Sequence, residues 1–247
     1  MQQAHVPLAG PRYWVALSIA SVFGANTGDF VAKYLHLGHA GGLLPLAAIL
    51  AVILVAERRD TTVHQAYYWL AIIVIRTAAT NLADFAASDL AINKLTLMLA
   101  LTALLAVTLL LIPPAKSTET ADAGMARLPV TDAKYWVAML VAGTLGTVIG
   151  DAASFETGLG TAQASLALGG VLAVLFLVGG TGLLARAWFY WPTVVMVRAA
   201  GTSASDFLAH NVFGLPVSTL VTGAAFIATL LLWKERAPSG LPAREAT

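Results

Sequence analysis

The chain repeats one sequence frame four times: a Tyr-Trp pair opens an apolar stretch, and an aspartate follows fifteen residues after the tryptophan. The first copy reads YWVALSIASVFGANTGD at 13–29. The tryptophans and aspartates of the four copies are Trp14 and Asp29, Trp69 and Asp84, Trp136 and Asp151, and Trp191 and Asp206. Because four of the six tryptophans obey this frame, it indicates an internal repeat rather than chance.

The composition indicates that these copies lie in a membrane. Of the 247 residues 58% are hydrophobic and only 11% are charged, with a mean hydropathy of +0.79. That leaves too little polar surface to cover a soluble globule of this length. The chain has no cysteine, which excludes disulfides, thiolate metal sites and cysteine nucleophiles together.

Apolar runs long enough to cross a hydrocarbon core of about 30 Å, roughly 20 residues each, can be placed eight times. They lie near 12–33, 41–56, 66–87, 92–112, 133–155, 161–183, 187–209 and 215–233. Each copy of the frame supplies the first of two spans, so all four copies begin on the same side of the membrane. The sequence therefore predicts an all-α integral membrane protein with eight transmembrane helices in four parallel two-helix repeats.

The copies alternate in detail, which predicts two pseudo-symmetric halves. Copies one and three share paired glycines near the aspartate, whereas copies two and four share an arginine and a phenylalanine after the aspartate. We expect the odd-numbered helices to form an inner ring and the apolar even-numbered helices to face lipid. The predicted units are an N-terminal half at 1–112, a linker at 113–132, a C-terminal half at 133–236 and a disordered tail at 237–247.

The loop charges predict the orientation of the chain in the membrane. Of the twelve lysines and arginines in the predicted loops and tails, ten lie on one side, and only Lys33 and Lys94 lie on the other. The positive-inside rule then places both termini and the linker in the cytoplasm. We expect a multi-pass protein of the bacterial cytoplasmic (inner) membrane.

This arrangement resembles a family of bacterial membrane proteins of unknown function, defined by four tandem repeats that each contain two membrane spans and a tryptophan. The resemblance covers about 12–236 and includes Trp14, Trp69, Trp136 and Trp191. In that family a glutamate often stands four residues before the aspartate, where this chain has Ala25, Thr80, Thr147 and Thr202. The resemblance implies eight spans and supplies no assigned chemistry.

The Tyr-Trp pairs are expected to form an aromatic belt at headgroup level, where these residues are enriched. At 1.5 Å per residue the aspartates then lie about 22 Å from the tryptophans, in the outer half of the membrane. An ionised carboxylate in hydrocarbon costs at least ~2.5–3.5 kcal/mol, so four of them predict a polar site or pathway. Structural ion pairs, or positions near the outer headgroups, are the alternative reading.

Arg76 and Arg198 lie near the middle of their spans, each eight residues before an aspartate. They are read either as partners of carboxylates on neighbouring helices or as contacts for an anion or counter-charges that a cation displaces. The predicted substrate- or ion-binding residues are Asp29, Asp84, Asp151, Asp206, Arg76, Arg198, Asn81 and Thr202.

We expect arginine to hold Asp84 and Asp206, which leaves Asp29 and Asp151 as the exchangeable site and the candidate metal ligands. Three histidines at the predicted outer mouth are weaker candidates for metal binding, because solvated loop histidines are commoner: His36, His39 and His210.

These residues predict a membrane transporter or exporter for a small cation, either a metal ion or a proton-coupled species. The alternatives are a carrier or channel for a small organic or anionic solute that uses the arginines, and a non-transporting membrane scaffold. Enzyme motifs such as phosphate loops, zinc hydrolase motifs and nucleophile elbows are absent, so we expect no catalysis. Nor do we expect a cofactor, since divalent cations or protons enter only as cargo. The expected partners are the lipid bilayer and the small cation, without nucleic acid, and a homo-oligomer is compatible with this reading.

Overall fold

The structure is a computed structural model that describes residues 6–60, 62, 64–112, 126–183 and 187–233. Most of the predicted linker, at 113–125, and all of the predicted tail lie outside the described residues. The described ranges form eight α-helices: α1 (Pro11–Asp29), α2 (Gly38–Arg59), α3 (Ala66–Asp84), α4 (Lys94–Leu110), α5 (Ala133–Phe155), α6 (Gly160–Leu183), α7 (Ala187–Phe207) and α8 (Leu215–Leu232). Two short strands, β1 (Leu8–Ala9) and β2 (Ala126–Arg127), pair antiparallel.

Four helices form the centre of the bundle in a closed ring. α1 packs against α3, α3 against α5, α5 against α7, and α7 against α1. Each even-numbered helix packs on the outside against the next odd-numbered one: α2 on α3, α4 on α5, α6 on α7 and α8 on α1. The predicted inner ring of odd-numbered helices is therefore confirmed.

Inner and outer helices differ in how much of their length is buried. In their most apolar stretches, between half and two-thirds of the residues of α1, α3 and α5 are buried, against 6% in α2, 17% in α6 and 22% in α8. The outer helices expose large apolar side chains, such as Leu44, Leu166 and Leu177, on the outside of the bundle. An apolar exterior of this kind suits a hydrocarbon environment.

Six helices in the described ranges are long and apolar enough to cross a membrane: α1, α2, α3, α5, α6 and α8. α4 is apolar but only 17 residues long, and α7 carries Pro192, Arg198 and Asp206. The all-helical fold with several long apolar helices is that expected of a helical membrane protein.

Glycines allow the inner helices to approach closely. A Cβ atom on Gly146 of α5 would lie 2.6 Å from both the Arg198 Cβ atom and the Val195 carbonyl oxygen of α7. A Cβ atom on Gly201 of α7 would lie 2.5 Å from the Ser21 Cβ atom of α1. The small residues near the predicted site thus have a packing role, as is common between membrane helices.

Candidate functional site

The inner helices meet at one end through a tyrosine ring, formed by Tyr13, Tyr68, Tyr135 and Tyr190. Neighbouring hydroxyl oxygens are separated by 3.1, 2.6, 3.0 and 2.6 Å in order around the ring. All four side chains are fully buried. Because each hydroxyl can donate one hydrogen bond and accept another, the closed ring satisfies its own polar groups.

The tryptophans surround the tyrosine ring in the same cyclic order. Each indole packs against the tyrosine of the preceding inner helix, with ring centroids 5.5–5.8 Å apart: Tyr13 with Trp69, Tyr68 with Trp136, Tyr135 with Trp191 and Tyr190 with Trp14. The four tryptophans are 2–6% exposed. The expectation of an aromatic belt at headgroup level is wrong, because the Tyr-Trp pairs face the interior of the bundle and contact one another.

Arg198 of α7 crosses the centre of the bundle and binds the other three inner helices. Its Nε atom donates to the Thr147 hydroxyl at 2.9 Å, and its Nη1 atom donates to the Ser21 carbonyl oxygen at 2.8 Å. Its Nη2 atom donates to the Thr80 hydroxyl. The side chain is fully buried, so these contacts hold a charged group away from water by hydrogen bonds to neutral oxygens.

Arg76 of α3 is also fully buried but has fewer partners. Its Nη2 atom lies 3.8 Å from the Met139 sulfur, and its Nε and Nη1 atoms have no hydrogen-bond partner. Among the described residues neither arginine forms an ion pair with an aspartate. The predicted pairing of arginine with Asp84 and Asp206 is therefore wrong, since the guanidinium groups lie deeper in the bundle and bind hydroxyl, carbonyl and thioether groups.

The other end of the inner ring holds the aspartate cavity, of about 210 Å³. All four predicted aspartates line it, one from each inner helix: Asp29, Asp84, Asp151 and Asp206. Since the tyrosines and the aspartates each meet at one end, the four helices run parallel. The other lining residues include the buried Thr80 and Thr202 and, towards the surface, the exposed Ser88 and Phe155.

The four aspartates have different surroundings within this cavity. The Asp29 Oδ1 atom lies 2.8 Å from the Lys33 Nζ atom, whereas the Asp84 Oδ2 atom lies 3.9 Å from the His39 Nε2 atom. Asp206 is only 7% exposed, and its Oδ2 atom has no hydrogen-bond partner. Asp151 is half-buried. At least one aspartate of the lining therefore has a buried carboxylate oxygen that the protein leaves without a hydrogen-bond partner.

The inner helices also end differently beside the aspartates. Residues Phe30–Tyr34, Phe85–Asp89 and Leu208–Val212 form π-helical turns at the ends of α1, α3 and α7. In contrast, α5 stays α-helical through Asp151 to Phe155. Single π-helical turns inside α-helices are frequent at functional sites, and here they lie next to three of the four carboxylates.

The other predicted site residues are divided between the cavity and its surroundings. Thr202 lines the cavity, and its buried hydroxyl has no hydrogen-bond partner. Asn81 is fully buried but does not line the cavity, because its amide faces Gly42 of α2. Arg76 and Arg198 are likewise absent from the lining, although the Thr80 that binds Arg198 belongs to it.

The candidate histidines do not complete a metal site. His39 lies 3.0 Å from Asp89, His36 lies in the exposed turn before α2, and His210 lines the cavity. Within the described ranges no group of three or more His, Cys, Asp or Glu residues is placed to hold a metal ion. Asp84, Asp206 and His210 share the cavity with Asp29 and Asp151, but the described side chains are not close enough together to complete a metal site.

The sequence interpretation missed both lysines of the cavity. Lys33 and Lys94 line it together with the aspartates, and the Lys94 Nζ atom lies 3.2 Å from the Glu156 Oε1 atom. From the sequence they serve only as markers of orientation, because they lie at the predicted membrane ends. Their isolation on the side opposite the other loop charges was the signal that could have identified them.

Comparison with known proteins identifies the family without giving a function. The model of the Repeat of Unknown Function (DUF347) matches residues 12–60, 134–179 and 189–236, together more than half of the chain. These three matches do not include the stretch with α3 and α4, although Tyr68 completes the tyrosine ring and Asp84 lines the cavity. No curated protein and no solved structure matches the chain. The chain belongs to the DUF347 repeat family.

Proposed function

We propose that the protein is a membrane transporter for a small cation and that the aspartate cavity is its binding site. The observation that carries this proposal is the meeting of four carboxylates from four helices in one cavity, with a buried oxygen of Asp206 left without a partner. Ionisable groups within membrane segments are costly, and they commonly mark the pathway of an ion or substrate.

The charges of the lining favour a cation. Four aspartates face two lysines, Lys33 and Lys94, so the ionised side chains leave an excess of two negative charges when His210 is neutral. The arginines, which an anion carrier would use, are held outside the lining, and Arg198 already donates to three protein oxygens. A scaffold whose charges only neutralise one another is disfavoured because, within the described ranges, neither Arg76 nor Arg198 forms an ion pair with an aspartate.

The layers below the cavity suggest how the two sides of a membrane are kept apart. Arg198 and Arg76 fill the centre of the bundle, and the tyrosine ring closes its far end. Among the described residues, these two layers lie between the cavity and the tyrosine end of the bundle. We propose alternating access, in which the inner helices rearrange so that the same aspartates become accessible from the tyrosine end.

The architecture that goes with this function has eight membrane spans and four repeats, with 66–110 as the second repeat. The two halves are related by a rotation about an axis near the membrane normal. Both termini lie in the cytoplasm of a bacterial cell, so that the tyrosine end is cytoplasmic and the cavity opens outward.

The proposal is tested with the double variant Asp29→Asn/Asp151→Asn in proteoliposomes. Currents are recorded on a solid-supported membrane after concentration jumps of Na⁺, K⁺, Mg²⁺, Mn²⁺ and ethylammonium. We expect at least one cation to give a protein-dependent current that the double variant loses, because the removal of two of four carboxylates eliminates the excess negative charge.

Asp60→Asn is the matched control, since Asp60 follows α2 at the tyrosine end and does not line the cavity. It should keep the wild-type current. Equal currents in the double variant and the wild type, or no current with any cation, would contradict the proposed function.

A further inference from the structure

We infer that the transported cation carries a primary ammonium group, and that Lys33 occupies its place in the unloaded cavity. This inference rests on the proposed function and names the class of its substrate. The Lys33 Nζ atom lies 2.8 Å from the Asp29 Oδ1 atom, a direct contact between an ammonium group and a carboxylate of the lining. The cavity therefore already accommodates the chemical group that we assign to the substrate.

The exposure of the Lys33 side chain allows another ammonium group to displace it from Asp29. It is 55% exposed, whereas the Asp29 side chain that it contacts is 12% exposed. A half-exposed lysine can exchange its carboxylate for water at little cost, because exposed ion pairs contribute little to stability. The buried carboxylate would then be free for a competing ammonium group from outside.

The rest of the lining offers further acceptors to the same group. An ammonium nitrogen has three N–H donors and no acceptor, so it requires several oxygens around it. Asp206 and Thr202 line the cavity, and each carries a buried side-chain oxygen without a hydrogen-bond partner. The Asp206 residue is only 7% exposed. These unpartnered oxygens are an observation independent of the lysine, and they point to a ligand that donates hydrogen bonds.

The same features fit a bare divalent metal less well. The carboxylates come from four different helices, and no three His, Cys, Asp or Glu side chains of the described residues lie close enough together to hold a metal ion. A cavity of about 210 Å³ also exceeds the space of a single ion bound directly by protein oxygens, whereas it suits a small organic ammonium ion.

The experiment uses Lys33→Ala in the full chain, purified into nanodiscs, with ethylammonium as the probe in isothermal titration calorimetry. We expect ethylammonium to bind about two- to fivefold more tightly to Lys33→Ala than to the wild type. This range corresponds to the free energy of a half-exposed ion pair, which ethylammonium must break in the wild type before it binds. Tetramethylammonium, which has the same charge and no N–H group, should show no such gain. Asp29→Asn/Lys33→Ala should lose the gain.

Lys94→Ala is the matched control, because Lys94 also lines the cavity but contacts Glu156. An equal gain in Lys94→Ala would indicate a general charge effect and overturn the direct displacement. Aspartate-dependent binding of Mn²⁺ or Na⁺ without binding of ethylammonium would overturn the inference and leave the proposed function standing. Binding of none of these cations to any of the proteins would overturn both.

Discussion

The tyrosine ring and the aspartate cavity are built by the same four helices from matching positions of the sequence frame, yet only the ring is uniform. All four tyrosines are fully buried, and each hydroxyl contacts two others at 2.6–3.1 Å. The aspartates differ in exposure and in partners: a lysine for Asp29, a more distant histidine for Asp84, and an unpartnered oxygen in Asp206.

The difference follows from the chemistry of the two groups. A phenol both donates and accepts a hydrogen bond, so four of them can satisfy one another in equivalent positions. Ionised carboxylates only accept and repel each other, so four of them in one cavity need donors from elsewhere. A repeated sequence can thus form a regular structure from tyrosines, whereas repeated aspartates acquire different partners or leave a binding site for a cation.

Arg198 separates the two ends, and its removal should have the largest effect on stability. We expect Arg198→Ala to lower the free energy of unfolding by about 3–5 kcal/mol, because it deletes three hydrogen bonds from a charged donor and leaves a cavity among four helices. The measurement is unfolding in detergent micelles followed by tryptophan fluorescence.

Arg59→Ala is the control for this variant, since Arg59 is exposed at the end of α2. It should stay within about 0.5 kcal/mol of the wild type. If Arg198→Ala and Arg59→Ala had the same free energy of unfolding, the hydrogen bonds of Arg198 to the other three inner helices would not stabilise the bundle.

The sequence predicts the helices and the ring of inner helices because both depend on periodic, repeated features. The fifteen-residue spacing brings the four aspartates to one end, and in the structure all four line one cavity. The partners of the arginines were not predictable, because Arg76 and Arg198 lie eight residues from the nearest aspartate on their own helix and the packing of neighbours decides their contacts.

The burial of the Tyr-Trp pairs could not be read from one helix alone. Enrichment of these residues at membrane interfaces is a statistical tendency, and it gives way where four tyrosines from four helices can contact one another. The strict recurrence of tyrosine before each tryptophan was the available signal, since a belt requires only aromatic character and not a hydroxyl in every copy.

The uniformity of the tyrosine ring can be tested with four single Tyr→Phe variants, at Tyr13, Tyr68, Tyr135 and Tyr190. Each variant removes one hydroxyl and leaves two neighbours with a missing partner, so each should lose about 1–2 kcal/mol of unfolding free energy. We expect the four values to agree within about 0.5 kcal/mol, which is the usual margin for such differences. Tyr34→Phe, at an exposed tyrosine, should have no effect, and a wide spread among the four would show that the ring is not uniform.

The corresponding Asp→Asn variants should have the smallest effects on stability and should differ in sign. Asp29→Asn is expected to lower the free energy of unfolding by up to about 1 kcal/mol, because it breaks an ion pair whose lysine is half exposed.

Asp206→Asn is expected to leave the free energy of unfolding unchanged or to raise it. The wild-type carboxylate is buried and has an oxygen without a partner, whereas the amide is neutral and can also donate hydrogen bonds. Fluorescence-detected unfolding at pH 7 measures both variants, and a double-mutant cycle of Asp29→Asn with Lys33→Ala isolates the ion pair. Equal losses for Asp29→Asn and Asp206→Asn would contradict the unequal environments. Opposite signs would mean that the substitution is destabilising at Asp29, where Lys33 supplies the positive charge, and not at Asp206, whose buried oxygen has no partner in the protein.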